Sequence, residues 1–361
     1  MNPLRQLEEY GQSAWLDAIR RSLMTSGTLG RLIGEDGISG VTSNPSIFEK
    51  AITGSDDYAA QLRELRAQGR SAVQTYEQLA VEDVQLAADA LRPVHLRSQG
   101  RDGYVSLEVS PHLARDTDGT IAEARRLWRS VGRANLMIKV PGTPQGMPAV
   151  EALIAEGLNV NVTLLFSRAA YRDAAEACLR GLERRQANAA PLAGVASVAS
   201  FFVSRIDTLI DARLGARHTA LRGKAAVANA KLAYRDFRAL VAGERWRRVA
   251  RDGAMPQRLL WASTSTKNPA YRDVVYVEEL IGPQTVNTLP AATLEAFRDH
   301  GVLRSSLEED VAGAEAAMRA IEAAGIDFDA VTGELLEEGL RLFAHSFDAL
   351  LSSVERARSA A

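Results

Sequence analysis

Three consecutive stretches of the chain alternate apolar and polar residues with the two-residue period of a strand. Val105, Leu107 and Val109 oppose Ser106, Glu108 and Ser110; Leu136, Ile138 and Val140 oppose Met137 and Lys139; Val160, Val162 and Leu164 oppose Asn159, Asn161 and Thr163. Helical spacing fills the gaps between them. Thr120-Ile121-Ala122-Glu123 has capping-box form and leads a predicted helix whose Ile121, Ala124, Leu127, Trp128 and Val131 share a face. Pro148 and Gly157 bracket another through Val150, Leu153 and Ile154. Further strands are predicted over 37–44, 194–200, 259–264 and 285–289, while residues 13–19 read equally as a short strand or a helix. Residues 58–91 predict two helices separated near Gly69, and other helices are expected from Ser167 and over 202–213 and 219–242. Eight candidate strands with helical material between most of them predict an α/β fold, a single (β/α)8 TIM-type barrel.

The remaining residues read as helices. Ser306-Leu307-Glu308-Glu309 has capping-box form, and Leu336, Leu340, Phe343, Phe347, Leu350 and Val354 make a helical stripe. No repeat or Pro/Gly/Ser-rich linker marks a boundary. The expectation is one domain over 1–361, with about 291–361 a helical C-terminal extension packed on the barrel rather than a dimer contact.

Parity then assigns faces. If the apolar sets meet the outer helices, the Lys, Glu, Asn, Thr and Ser side chains converge inside the barrel, near the strand C-termini where such barrels carry their active sites. An open antiparallel sheet with one wet face would show the same alternation, but helical segments between the strands favour parallel crossovers. Lys139 stands out, because lysine is seldom buried and this one lies in an apolar run closed by Pro141-Gly142. A desolvated ammonium gives up its proton more readily, so a lysine in such a place can attack a carbonyl and form a Schiff base. The bland alternatives are a side chain that reaches out to solvent at the strand end or one that pairs with a carboxylate.

Composition narrows the possibilities. A chain of 361 residues, 46% hydrophobic and 24% charged, fits one barrel with a substantial core. A net charge of −2 and a pI near 6.3 give no global bias towards nucleic acid or an anionic membrane. Cys178 is the only cysteine, so neither an intrachain disulfide nor a thiolate metal cluster can form. The five histidines are scattered without ligand spacing, so no metal is expected. The N-terminus lacks a basic-then-apolar signal pattern and no apolar run approaches the roughly eighteen residues of a membrane span, so a cytoplasmic protein is expected.

Six separated motifs, in order, give the chain its resemblance to the transaldolases. They are Trp15-Leu16-Asp17, Thr42-Ser43-Asn44-Pro45-Ser46, Ser106-Leu107-Glu108-Val109, Ile138-Lys139-Val140-Pro141, Asn161-Val162-Thr163-Leu164-Leu165-Phe166-Ser167 and Ser200-Phe201-Phe202-Val203-Ser204-Arg205. The resemblance runs over most of the chain and is to the longer bacterial subgroup. It implies a Schiff-base transferase of the pentose phosphate pathway that moves a dihydroxyacetone unit between sugar phosphates, with no metal or organic cofactor; the sequence leaves monomer or homodimer open. Lys139 would be the nucleophile, Glu108 and Thr163 would move protons through a water, and Asp17 would take the hydroxyl proton that triggers carbon–carbon cleavage. Asn44 and Asn161 would bind hydroxyls of the retained unit, with Ser200 and Phe202 lining the site. Arg205 matches the family's phosphate arginine; where many members carry a second arginine this chain has Ser263-Thr264-Ser265-Thr266-Lys267, and Lys267 is assigned that role. The nearest relatives in chemistry, the fructose-6-phosphate aldolases, typically carry glutamine at the position of Glu108 and tyrosine at that of Phe202, so both positions favour transfer over release of free dihydroxyacetone.

Overall fold

The computed structural model describes residues 2–360. Its sheet comprises β1 (Gln12–Leu16), β2 (Gly40–Val41), β3 (Tyr104–Glu108), β4 (Leu136–Pro141), β5 (Val160–Leu165), β6 (Ser197–Phe202), β7 (Arg258–Ala262) and β8 (Thr285–Leu289). The strands pair in chain order, all parallel, and β8 pairs with β1 to close the barrel. Residues 13–19 therefore begin as a strand, and β6 lies a few residues later than its pattern suggested. Strand residues of both parities are buried, because one set meets the surrounding helices and the other fills the interior.

β2 is far shorter than expected, and its first residue explains part of its role. Trp15 of β1 lies across Gly40, where an added Cβ would come within 2.4 Å of two indole carbons. The indole cannot retreat easily, since its Nε1 donates to Asp102 at 2.9 Å. Gly40→Ala is expected to destabilise the protein by about 1–3 kcal/mol through overpacking, read as a lower thermal unfolding temperature. An unchanged temperature would mean that the indole repacks without cost.

The helix expected over 219–242 starts only at Ala225, and neither capping box starts its helix. The helix Thr117–Val131 begins a turn before the Thr120 capping box, because Asp116 is its N-cap and accepts from the Gly119 amide. The side chains of the expected box are used elsewhere: Thr120 donates to the Leu113 carbonyl and Glu123 accepts from the Ser110 amide. Likewise no helix starts at Ser306, whose hydroxyl donates to the Glu278 carbonyl; the next helix, Val311–Ala323, is capped by Asp310. Gly69 separates helices Ala59–Ala67 and Ala72–Arg97 as expected, in a left-handed conformation suited to glycine.

The last helix, Phe328–Ala360, carries the apolar stripe and packs against helices Pro45–Thr53 and Ala72–Arg97 and the end of β5. Among the described residues no helix is long and apolar enough to cross a membrane.

Polar groups are buried at both ends of the barrel. At the N-terminal end, Arg258 reaches across to pair with Asp102 at 3.0 Å and to donate to Ser13 and the Arg101 carbonyl, while Ser13 and Trp15 also donate to Asp102. Both charges of this pair are satisfied, which suits a structural closure. At the C-terminal end several buried polar atoms have no hydrogen-bond partner, namely both carboxyl oxygens of Glu108, the Thr163 hydroxyl and Nδ2 of Asn287; at the N-terminal end the same holds for Oε1 of Gln12 and of Gln257. The C-terminal group stands where barrels of this kind handle their ligands.

Candidate active site

Strand register places the central group. Glu108 on β3 is the register partner of Lys139 on β4, which is in turn the partner of Asn161 on β5, so three neighbouring interior side chains stand in a row. Lys139 is only 5% exposed, yet its amine reaches the floor of a pocket of about 330 Å³. Nζ donates to the Ser43 carbonyl at 3.1 Å and lies 3.5 Å from Glu108 Oε2. Glu108, 8% exposed, has no hydrogen-bond partner at either oxygen. Burial pushes its carboxyl up to about 7; Lys139 opposes the rise and Asp17 adds to it. A carboxyl of that strength can both give and accept a proton near neutrality.

Thr163 shares the interior parity of Asn161, and an irregularity follows it directly. The register of β5 against β6 shifts between Val162 and Leu165, and Leu164 adopts a left-handed φ of +60°. A left-handed leucine costs about 1–3 kcal/mol in local strain, and such outliers cluster beside functional sites. Thr163 lines the pocket, its hydroxyl without a hydrogen-bond partner.

Asp17 follows β1 and accepts a 2.6 Å hydrogen bond from Thr42, whose hydroxyl also meets that of Thr288 at 2.7 Å. Burial raises the Asp17 carboxyl above its ordinary range, against the Thr42 hydrogen bond and the Lys139 charge. Asn44 caps helix Pro45–Thr53 by accepting from the Ile47 amide at 3.0 Å, which leaves its amide donors for other use. Asn161 donates to Ser106 at 3.0 Å and accepts from Ser200 at 2.7 Å, a pair of contacts that fixes its amide orientation.

The outer part of the pocket is cationic. The Arg205 guanidinium stacks 5.5 Å above the Phe202 ring, and burial holds it below its ordinary basicity, with Glu338 offsetting part of the effect. Among the described residues no carboxylate lies within ion-pair reach of Arg205 or of Lys267, whose amine donates to Ser265 at 2.7 Å. Many other arginines of this chain are ion-paired, Arg168 and Arg245 among them, so cations left unpaired in one pocket are poised for an anion.

Eight of the ten residues expected from the sequence line this one pocket: Asp17, Asn44, Lys139, Thr163, Ser200, Phe202, Arg205 and Lys267. Glu108 and Asn161 sit beneath it, in contact with Lys139 and Ser200 respectively. The sequence reading missed Lys50 and Phe343, which also line it. Lys50 was legible in principle, lying four residues after Ser46 on one face of the helix that Asn44-Pro45 opens. Phe343 was noticed only as part of an apolar stripe. Thr42 stood in a quoted motif without a role of its own, and Thr288, which meets the Thr42 hydroxyl, carried no signal because the two come together only once the barrel closes.

Residues 14–354 match the family model for transaldolase/fructose-6-phosphate aldolase. The chain is 49% identical over 358 residues to a transaldolase of Thiobacillus denitrificans, covering 98% of this chain and 100% of that one. It is 47% identical over 369 residues to transaldolase 2 of Nostoc punctiforme, covering 98% and 97%. A transaldolase of Thermobifida fusca is 47% identical over 358 residues, with 98% and 97% covered.

Proposed function

We infer the roles of the pocket residues from the premise that this chain belongs to the transaldolase/fructose-6-phosphate aldolase family. It is a transferase that reversibly moves a dihydroxyacetone unit from sedoheptulose 7-phosphate to glyceraldehyde 3-phosphate, giving erythrose 4-phosphate and fructose 6-phosphate, in the pentose phosphate pathway. The single observation that supports this assignment of roles is the buried amine of Lys139, which faces the pocket with two raised carboxyls beside it.

Lys139 adds to the ketone carbon of the donor, and the resulting carbinolamine loses water to become an iminium. Glu108 supplies and recovers the protons of these steps together with the Thr163 hydroxyl, whose free valences suit a bridging water. Asp17 then takes the proton of the hydroxyl beyond the bond to be broken. That bond cleaves, the aldose phosphate leaves, and an enamine stays on Lys139. Asn44, Ser200 and Asn161 keep the retained hydroxyls in place. The incoming aldehyde is attacked by the enamine carbon, and Asp17 returns its proton to the new hydroxyl. The single buried Cys178 and these substrates support a cytoplasmic location.

For the phosphate we assign Arg205, Lys267 and the newly found Lys50. Arg205→Gln should raise KM for phosphorylated substrates roughly tenfold or more, and Lys50→Met or Lys267→Met several-fold, with kcat little changed. Steady-state kinetics on each variant checks this; a KM unaffected by Lys50→Met removes that residue from the set. The activity itself is tested by product analysis. Fructose 6-phosphate with erythrose 4-phosphate should give sedoheptulose 7-phosphate rapidly, and fructose 6-phosphate alone should give little dihydroxyacetone. Free dihydroxyacetone at a rate matching transfer would reassign the chain to aldol cleavage.

A further inference from the structure

Among the described residues Phe343 is the one aromatic ring within cation–π reach of the reacting nitrogen, and the steps above give it no task. Its ring centroid lies 5.5 Å from Lys139 Nζ, the residue is buried, and it lines the pocket. It comes from the C-terminal helix Phe328–Ala360 rather than from any strand or adjacent loop.

That helix is fixed on both sides of Phe343. One turn before it, Gly339 lies against the left-handed Leu164, where an added Cβ would be 3.0 Å from a leucine methyl. One turn after it, Ser46 donates to Ser346 at 2.7 Å, and Phe347 packs edge-on against Tyr76 with ring centroids 5.6 Å apart. The ring is thus held against Lys139 by contacts to Leu164, the neighbour of Thr163, and to the helix that Asn44 caps.

We propose that Phe343 is a specificity-determining residue that keeps the dihydroxyacetone unit on Lys139 between departure of one aldehyde and arrival of the next. The proposal rests on the Schiff-base reading above. The held enamine has two fates. In transfer, its carbon bonds to the acceptor aldehyde. In release, a solvent proton adds to that carbon and the oxygen of a water bonds to the iminium carbon. One hydrogen of that water returns to solvent, the other ends on Nζ as the carbon–nitrogen bond breaks, and free dihydroxyacetone leaves. The ring acts against release in two ways. It fills space beside Nζ that water would occupy, and its electron-rich face stabilises the positive iminium over the neutral carbinolamine formed by water attack.

The test is a ratio, so that partial loss of folded enzyme cancels. Release of dihydroxyacetone from fructose 6-phosphate alone is divided by the rate of transfer to erythrose 4-phosphate, for wild type, Phe343→Ala and Phe343→Leu. Phe343→Ala should raise the ratio about tenfold or more, and Phe343→Leu, which keeps bulk but loses the ring face, by a smaller factor of about three. Phe343→Leu alone decides the matter if the alanine variant does not fold. A ratio within twofold of wild type in the variants that fold, with both rates falling together, would overturn the proposal and leave the ring a packing element. Borohydride fixation on wild type is run alongside: an adduct on Lys139 with an unmoved ratio sinks this inference only, whereas no adduct removes the Schiff-base reading beneath it.

Discussion

Lys139→Met is expected to lower transfer by at least roughly 10⁴-fold while leaving the fold and substrate affinity close to wild type. In the proposed mechanism the amine is the covalent handle, and without it no iminium forms to act as the electron sink for carbon–carbon cleavage. Methionine keeps most of the volume of the lysine stem, so the interior of β4 stays filled. The change also takes away the positive charge that holds the Glu108 carboxyl down, so Glu108 moves further into its neutral form. A neutral carboxyl beside a thioether is tolerable inside a barrel, where a stranded carboxylate would cost several kcal/mol. Arg205, proposed above as a phosphate ligand, also lines this pocket and is not altered by the substitution. Kinetics, circular dichroism and ligand titration together check this; residual turnover above about one per cent of wild type would mean that another group carries the chemistry.

Glu108→Gln is the second large effect. Transfer should fall by about 10²–10⁴, the range for loss of a positioned acid–base group, and the limb of the pH–rate profile near 7 should disappear. The same shift makes a stability statement. The carboxyl is raised from 4.5 to about 7 in the folded protein, so folding favours its protonated form. Its contribution is fully present below pH 4.5 and is lost as pH rises through about 7. The full span corresponds to on the order of 3 kcal/mol, reduced in practice because Lys139 is coupled to the same group. Thermal unfolding of wild type should therefore lose ground between about pH 5 and 8 relative to Glu108→Gln. Parallel curves for the two proteins would show that Glu108 is not strained by its burial, and with that its use as a proton carrier near neutrality would lose its basis.

Both predictions concern residues that the sequence made visible, and the reason is geometric. In a closed parallel barrel the two-residue period survives intact on each strand, so Glu108, Lys139 and Asn161 fall on the interior parity and are brought side by side by register alone. Where function depends on contacts that skip this local logic, the pattern is silent. Capping-box spacing misled at Thr120 and Ser306 because tertiary acceptors at Leu113 and Glu278 claimed those hydroxyls. Asn44 reads as a turn residue or a ligand group, and in the fold it caps a helix while lining the pocket. Phe343 follows the apolar spacing of a packing helix; only its position over Lys139 separates it from Leu350 or Val354 on the same stripe. The Leu164 bulge leaves no trace either, since leucine is an unfavoured residue for a left-handed conformation and a reader of propensities would not place one there.

The most direct test of the central claim is reductive trapping. Wild-type protein is incubated with fructose 6-phosphate, treated with borohydride and mapped by peptide mass spectrometry. The account predicts a reduced dihydroxyacetone adduct on Lys139, absent from Lys139→Met. An adduct on another lysine, or none while transfer proceeds, would contradict it.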